Sequence, residues 1–231
     1  MPPEHLPTRT YEAYTAVKRR IIDLTLPPGA SFSEGELAME LGFSKTPVRE
    51  ALARLRQERL VEAVARSGYR VTPVTVKGAH DLFQLRALLE GEAAAIAAER
   101  GGDLDTLLEL EKLCQASYDP DDQSSISRFL EANTKFHVTV ATIGGNDALA
   151  TMLQQVLEQL ERLFHLGLAL NSRSNEMVHE HQELLAAVKS GDPDAARRAA
   201  TAQTGSSQLM VLNAMLSSDS VLSANIVATG T

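Results

Sequence analysis

Two short helical segments, joined by a turn of three or four residues, limit most strongly what this chain can fold into. The first begins at Ser33, which forms a predicted capping box with Glu36, and ends at Gly42. The second has Pro47 in its first turn, where proline is tolerated, and runs to about Arg59. Two helices connected in this way have the geometry of a helix-turn-helix, whose second helix enters the major groove of DNA.

The neighbouring segments complete a winged helix-turn-helix. A helix is predicted from Tyr11 to about Leu24, before the breaker Leu26-Pro27-Pro28-Gly29. After the second short helix, the β-prone segments 60–65 and 69–74 flank a turn at Arg66-Ser67-Gly68 and predict a hairpin, the wing.

The remainder of the chain is predicted to form an all-helical bundle, so that the fold is mainly α. There is no Trp and only 4% of residues are aromatic, and long Ala- and Leu-rich stretches favour helices over sheets. Turn and cap residues separate six helices, predicted at 78–100, 104–117, 124–143, 146–170, 175–190 and 193–216. The predicted domains are therefore residues 1–76 and 77–216, followed by a small, polar, flexible tail at 217–231.

The net charge of −8 hides an uneven distribution of charged residues. Residues 1–76 hold eleven Lys or Arg against nine Asp or Glu, whereas the remainder holds eleven against twenty-one. Between Lys45 and Arg70 the count is seven basic to three acidic. A basic head on an acidic body can steer one end of the molecule toward phosphate groups.

The sequence favours a cytoplasmic protein with no membrane partner. No apolar run reaches the roughly 18–20 residues that span a membrane, and the N-terminus lacks the basic-then-apolar layout of a signal peptide. The single cysteine, Cys114, cannot form an internal disulfide, which suits a reducing compartment. Its place between helical residues favours a packing role over that of a nucleophile.

The helix-turn-helix resembles that of the GntR family of bacterial transcription regulators, over about residues 10–75. The resemblance rests on fixed residues at fixed spacing: the Leu-Pro-Pro-Gly-Ala-Ser-Phe-Ser lead-in at 26–33, the Gly68 wing, and Glu36-Leu37-Ala38, Leu41-Gly42-Phe43-Ser44-Lys45-Thr46-Pro47-Val48-Arg49-Glu50-Ala51-Leu52 and Leu55. It implies a protein that binds double-stranded DNA.

The residues predicted to read DNA lie at the start of the second short helix. Ser44, Lys45 and Thr46 occupy the end that enters the groove, with Ser44 or Thr46 as the cap, and Arg49 lies one turn further on the Lys45 side. Family members usually carry arginine in place of Lys45; lysine keeps the charge but loses the fork that fits guanine. The position of Gly35 is often an arginine that relatives use on DNA, and glycine removes that contact.

Further residues are predicted at the same surface. Arg54, like Arg56 and Arg59, is predicted to contact phosphates or to be solvated surface. Ser67, Gly68 and Tyr69 would bring the wing backbone to the minor groove or to phosphates, and glycine would permit the approach. The alternative for the wing is a plain hairpin turn.

The helical half resembles the FCD-type effector domain of the FadR-like branch of the family. Short features carry this resemblance in order: Leu85-Arg86-Ala87-Leu88-Leu89-Glu90, Phe136-His137, Gly145-Asn146-Asp147-Ala148-Leu149, Glu180-His181-Gln182-Glu183-Leu184-Leu185 and Gly191-Asp192. It implies a domain that senses a small molecule and forms the dimer.

Polar residues on apolar helix stripes mark the predicted effector site. Asn133 and His137 are four residues apart within one stripe and can point at a common centre. His181 lies in the apolar stripe of a second helix, and Gln203 lies on the inner face of the last helix. Arg86 lies on the leucine-rich side of the first helix of this half.

The FCD resemblance implies a divalent metal ion, of the zinc or nickel type, at four of these positions. Where metal-binding relatives carry an Asp or Asn and three histidines, this chain has Asn133, His137, His181 and Gln203. The amide of Gln203 is a poor ligand for these ions, so the predicted metal ligands are Asn133, His137 and His181. The alternative is that both histidines are hydrogen-bonded core residues.

Arg86 matches a position that in relatives pairs with an acidic effector, which implies a carboxylate-bearing metabolite. The alternative is a buried ion pair of Arg86 with Glu90 or Glu158. His165 is predicted to lie on a helix surface.

The predicted function is that of an effector-responsive repressor. A homodimer on an inverted-repeat operator is expected, because one helix reads only a few base pairs and useful specificity needs two half-sites. The alternative from another class is a metal-dependent enzyme that uses His137 and His181. The sequence offers it no general base beside them, no phosphate loop and no Gly-x-Ser-x-Gly elbow. An architectural DNA-binding protein without an effector is disfavoured, because burying the polar residues of the helical half would be costly.

Overall fold

A computed structural model describes residues 8–65, 67–102, 104–115, 118–119, 121–170 and 174–217. The chain divides into two units, one ending at Thr75 and the other beginning at Val76. Arg66 of the predicted wing turn lies outside the described residues, and so does the predicted tail beyond Ser217. No helix in the described part of the chain is long and apolar enough to cross a membrane.

The first unit packs its helices on a small antiparallel sheet, which confirms the predicted winged helix-turn-helix. Its elements are α1 (Thr8–Ile22), β1 (Ser31–Phe32), α2 (Glu34–Leu41), α3 (Lys45–Gln57), β2 (Val61–Val64) and β3 (Gly68–Val71). The strand order is β1-β3-β2, with Phe32 paired to Tyr69 and Val61 paired to Val71. The core consists of buried apolar side chains, among them Val17, Ile21, Val48, Leu52, Leu55 and Val71.

Local sequence determines where the short helices begin and end. Ser33 Oγ accepts a hydrogen bond from the Glu36 backbone N–H at 3.1 Å, and the Glu36 carboxylate accepts one from the Ser33 N–H at 2.9 Å, which is the predicted capping box. Gly42 follows α2 with a φ of 70°, in the left-handed region that glycine favours. Ser44 is the residue before α3, but its side chain makes no capping hydrogen bond.

Strand β1 is a feature that the sequence prediction missed, because two residues are too few to show an alternating pattern. It exists through its pairing with β3. Gly68 permits this pairing, since its φ is 93° and a Cβ at this position would lie 2.6 Å from the carbonyl oxygen of Phe32. No other residue type fits between the two strands without moving the backbone.

The elements of the second unit are all helices within its described residues, as predicted. Its elements are α4 (Val76–Arg100), α5 (Asp105–Cys114), α6 (Gln123–Ile143), α7 (Asp147–Leu170), α8 (Ser174–Ser190) and α9 (Pro193–Ser217). Helix α4 is central and packs against α6, α7, α8 and α9. Small residues on α4 allow the close approach of α9, because a Cβ on Gly91 would lie 3.2 Å from Thr201 Oγ1.

The prediction for His165 was wrong, and that for Cys114 agrees with its burial. His165 is 1% exposed, because α7 packs against α4, α6 and α9 and has little free surface; its Nδ1 lies 2.9 Å from Gln123 Nε2. Cys114 is also buried, and burial raises the pKa of its thiol to about 12. A thiol that stays protonated is a packing group and a poor nucleophile.

Candidate functional site

The outer face of α3 carries the residues predicted to read DNA. Ser44, Lys45, Thr46 and Arg49 are all exposed, and 65% of the Arg49 side chain is accessible. The opposite face is buried in the core of the unit through Val48, Ala51, Leu52 and Leu55. The packing therefore leaves the first turn and the outer face of α3 accessible, as a helix that enters a DNA groove must be.

Arg49 is held by Glu34, which lies in the first turn of α2. Arg49 Nε donates to Glu34 Oε2 at 3.0 Å, and Arg49 Nη2 lies 3.0 Å from the same oxygen. Tyr69 of β3 donates its hydroxyl to Glu34 Oε1 at 3.5 Å. The hydrogen bonds and the negative charge of Glu34 raise the pKa of Arg49. Glu34 was not predicted from the sequence, where its only signal is an acidic residue beside a helix cap.

Lys45 lies over Gly35, in the first turn of α2. A Cβ on Gly35 would be 3.5 Å from Lys45 Cε and 3.8 Å from Lys45 Nζ, within ordinary van der Waals contact. A larger side chain at position 35 would thus compete with the lysine stem for this space. The lysine ammonium group brings a positive charge close to the position where the family resemblance implies an arginine.

Arg54 does not lie on the Arg49 side of α3. Five residues beyond Arg49, it is turned by about 140° around the helix. Its Nε donates to Glu58 Oε1 at 3.1 Å, and its guanidinium lies 5.7 Å from the ring centre of Tyr14. Tyr14 also donates its hydroxyl to Glu58 at 2.9 Å, so these side chains tie α1 to α3. Arg56 is exposed on the Arg49 side instead, and its spacing of seven residues could have identified it from the sequence.

The predicted wing residues have different environments. Ser67 is exposed at the hairpin turn. Gly68 is needed for the pairing of β1 with β3, a reason for glycine that does not involve DNA. The Tyr69 ring stacks on Phe32, with 6.3 Å between ring centres and 15° between planes. Of the three, Ser67 alone lies fully on the surface.

The helical unit buries all five residues predicted for the effector site. Arg86 of α4, Asn133 and His137 of α6, His181 of α8 and Gln203 of α9 are each at most 2% exposed. Four helices therefore carry polar side chains into the interior. Such burial is costly unless the polar groups find partners.

The carboxylate of Glu90 organises part of this cluster. Glu90 Oε1 accepts from Arg86 Nε at 2.9 Å and lies 3.2 Å from His137 Nδ1. Glu90 Oε2 accepts from the Thr204 hydroxyl at 3.0 Å. The ion pair of Arg86 with Glu90, one of the two alternatives raised from the sequence, is thus present, and both side chains are buried.

The two histidines face each other and are neutral. His137 Nε2 lies 3.4 Å from His181 Nε2 and 3.4 Å from Arg86 Nη2, and the Phe136 ring stacks on His181 at 4.3 Å between centres. Burial, and then the positive charge of Arg86, hold the pKa of His137 well below its usual range. Burial, and then His137 and Arg86, do the same for the pKa of His181, against the opposing effect of Glu90. Since a carboxylate only accepts, His137 Nδ1 carries the proton and its Nε2 is an acceptor.

Several buried polar atoms of the cluster have no hydrogen-bond partner among the described residues. They are Arg86 Nη1, Asn133 Oδ1, His181 Nδ1 and Gln203 Oε1. Buried polar groups in proteins nearly always have partners, and each exception is costly. A polar guest that accepts from Arg86 and donates to the amide oxygens would remove this cost.

A cleft of about 310 Å³ lies between α8 and α9 and reaches Gln203. Its lining also includes Glu176, Glu180 and Glu183. The three carboxylates make this cleft unfavourable for an anion.

The donor set does not fit the divalent metal that the FCD resemblance implies. No group of three or more His, Cys, Asp or Glu side chains in the described parts of the chain is arranged to hold a metal ion. Besides the two imidazoles, Asn133 and Gln203 offer neutral amide oxygens, which are weak ligands for zinc or nickel. The guanidinium of Arg86 lies 3.4 Å from His137 Nε2 and places a positive charge beside the imidazoles. The cation at the centre of this cluster is Arg86 itself.

Both units match known family models. Residues 9–71 match the model described as bacterial regulatory proteins, gntR family, and residues 81–204 match the FCD domain. These two segments contain the α3 surface and the buried cluster, respectively.

Individual relatives extend the likeness over most of the chain. An HTH-type transcriptional regulator in an unstable DNA locus of Streptomyces ambofaciens is 32% identical over 83% of this chain and 80% of its own length. The HTH-type transcriptional repressor GlaR of Escherichia coli is 27% identical over 78% of this chain and 86% of its own. The solved structure of E. coli McbR/YncC has the same fold, with a TM-score of 0.76 at 24% identity, over 90% of this chain and 99% of that one.

Proposed function

This chain belongs to the GntR family of bacterial regulatory proteins with an FCD domain, and on that premise we propose that it is a repressor whose operator binding is controlled by a carboxylate effector. It is a transcriptional regulator of the GntR/FCD type and not an enzyme. We assign DNA binding to residues 1–76 and effector sensing with dimerisation to residues 77–216. A protein that acts on operator DNA in a bacterium works in the cytoplasm.

The observation that supports DNA binding is the amphipathic α3, with Lys45, Arg49 and Arg56 on its open side. Arginine can bind guanine through two N–H groups, and lysine supplies a phosphate or single-atom contact. Ser44 and Thr46 flank Lys45 and are exposed, and Ser67 is exposed at the wing turn. Their hydroxyl groups can donate to phosphates. We therefore assign base reading to Arg49 and phosphate contacts to Lys45 and Arg56.

The observation that carries the effector assignment is the unpartnered Nη1 of Arg86. Glu90 occupies the Nε of this guanidinium and His137 Nε2 lies 3.4 Å from Nη2, so that Nη1 and the second N–H of Nη2 remain for another acceptor. A carboxylate matches this edge with two parallel hydrogen bonds. Asn133, His137, His181 and Gln203 would then orient the rest of the molecule through its polar groups.

We propose that the functional unit is a homodimer on an inverted-repeat operator. Leu85 and Leu88 of α4, and Leu209 and Leu216 of α9, are large apolar side chains left exposed. Their spacing places each pair on one side of its helix, and a second copy of the chain would cover such surfaces. Light scattering at micromolar concentration tests this assignment, and a monomer both with and without DNA would contradict it.

The proposed repression follows from a difference in effector affinity between two states of the protein. An effector that binds the DNA-free state more tightly shifts the population away from the operator. GlaR, which is named a repressor, supports this direction. The test is to select a duplex from a random library with the protein and measure its affinity with and without a panel of organic acids. If no organic acid changes the affinity of the protein for this duplex, the effector assignment is wrong.

A further inference from the structure

We propose that Glu34 positions Arg49 for base recognition and is thereby a specificity-determining residue of the DNA-binding surface. This inference rests on the proposed function, because it requires that Arg49 contacts DNA. It assigns a role to an acidic residue through its contact with Arg49 and not through a contact of its own with DNA.

The geometry of the ion pair leaves the reading edge of Arg49 open. Glu34 engages Nε and Nη2 of the guanidinium, each at 3.0 Å. The edge formed by Nη1 and Nη2 points away from this carboxylate, and it is the edge that binds guanine O6 and N7. A fixed guanidinium loses less conformational freedom on binding than a free arginine side chain, which lowers the cost of recognition.

Helix capping does not explain the presence of Glu34. Ser33 and Glu36 already form the capping box of α2, so the helix start is satisfied without a further carboxylate. A negative charge on a surface that faces phosphates opposes binding. Among the described residues, Arg49 is the basic side chain that pairs with Glu34 and offsets this cost.

Tyr69, in strand β3 of the wing, also restrains Glu34. Tyr69 donates to Glu34 Oε1 at 3.5 Å, and its ring is held by stacking on Phe32. The side chain of Glu34 is only 23% exposed, whereas that of Arg49 is 65% exposed. A restrained carboxylate therefore holds an accessible arginine, which is the arrangement that a positioning residue requires.

The test compares specific with non-specific DNA affinity at fixed salt. The probes are a duplex selected by the wild-type protein from a random library and a scrambled duplex of the same length. The variants are Glu34→Gln, Glu34→Asp, Arg49→Ala and the double variant Glu34→Gln/Arg49→Ala. Glu40→Gln is the matched control, because Glu40 lies on the same helix and pairs with Arg20 instead. Circular dichroism melts establish that each variant is folded.

The expected result for Glu34→Gln is a specific-to-non-specific ratio that falls about three- to fivefold, the size of an exposed ion pair. Its non-specific affinity should be unchanged or higher, because a charge that repels phosphates has gone. Glu34→Asp should restore part of the ratio, and Glu34→Gln should have no further effect on it in the Arg49→Ala background. Glu40→Gln should leave the ratio at the wild-type value.

Two outcomes would overturn the inference and one would overturn its premise. If Arg49→Ala lowers the ratio but Glu34→Gln leaves it unchanged or raises it, Glu34 does not position Arg49. If Glu34→Gln lowers specific and non-specific affinity equally and also lowers the melting temperature, the role of Glu34 is structural only. If Glu34→Gln does not fold, the same comparison is made with Glu34→Asp. If Arg49→Ala itself binds both duplexes like the wild type, the proposed placement of the DNA surface is wrong.

Discussion

Arg86 and Glu90 form a buried ion pair one helical turn apart, with 2.9 Å between Nε and Oε1. The pair neutralises a charge that the interior could not hold alone, yet it leaves Arg86 Nη1 without a partner. This unsatisfied donor is the reason for expecting an anionic guest.

Replacing the guanidinium should abolish effector binding. Arg86→Lys keeps the charge but cannot form two parallel hydrogen bonds with a carboxylate. Organic acids that raise the melting temperature of the wild type should raise that of this variant much less. The measurement is a thermal-shift panel of mono-, di- and tricarboxylates, with the exposed Arg128→Lys as control. Equal shifts in wild type and Arg86→Lys would place the effector elsewhere.

The paired histidines should make stability depend on pH below about 6.5. Because the folded state holds the pKa of His137 and His181 low, the unfolded chain binds protons that the folded chain does not. Stability is therefore full above the unfolded pKa and falls with decreasing pH, by up to about 1.4 kcal/mol per pH unit for each histidine.

Urea unfolding between about pH 7.5 and pH 5 checks this expectation. His181→Gln removes one titrating group and keeps a neutral side chain, so its stability should fall less steeply by about that amount. Parallel curves for the variant and the wild type would show that His181 has the same pKa in the folded and unfolded states.

The residue at position 203 determines whether the cluster has enough good ligands to bind zinc. The wild type should show no micromolar affinity for zinc, because its donor set has two imidazoles. Gln203→His supplies a third and should raise zinc affinity by at least about tenfold. Isothermal titration measures both, with Gln203→His/His137→Ala as the control that should lose the gain. Tight zinc binding by the wild type would contradict the account of Arg86 as the resident cation.

Substitutions at Gly68 and Gly42 distinguish two costs of adding a side chain at positive φ, namely backbone strain and steric clash. Both have φ in the left-handed region, at 93° and 70°, but a Cβ on Gly42 has no neighbour within 4 Å, whereas one on Gly68 meets the Phe32 carbonyl oxygen at 2.6 Å. Gly42→Ala should cost about 1–2 kcal/mol of unfolding free energy. Gly68→Ala should cost at least about 1 kcal/mol more, because the backbone must move. Equal losses in thermal melts would mean that β1 and β3 separate freely.

The sequence predicted most of the fold because its helix boundaries depend on local chemistry. Ser33 with Glu36 caps α2, and Gly42 ends it, whatever the rest of the chain does. Strand β1 could not be predicted, since it forms through its pairing with β3. His165 was assigned to a surface because its burial depends on the packing of α7 among neighbouring helices, which periodicity alone does not reveal.

The candidate sites were predictable in part for the same reason. Helical spacing identified Arg49 and the stripes that carry His137 and His181. It could not choose between Glu90 and Glu158 as the partner of Arg86, because that choice depends on which helices meet in three dimensions; Glu158 instead accepts from Gln154. Nor could it find Glu34, whose contact with Arg49 joins two helices at one point.

The most direct measurement is the operator affinity of Arg49→Ala and Arg54→Ala, by fluorescence anisotropy at fixed salt on the selected duplex. We expect Arg49→Ala to weaken specific binding on the order of 5- to 150-fold, the cost of a lost bidentate base contact. Arg54→Ala, which removes a guanidinium engaged with Glu58 and Tyr14, should change it by no more than about twofold. Affinity of Arg49→Ala within about twofold of the wild type, or a larger loss in Arg54→Ala, would contradict the assignment of the outer face of α3 to DNA.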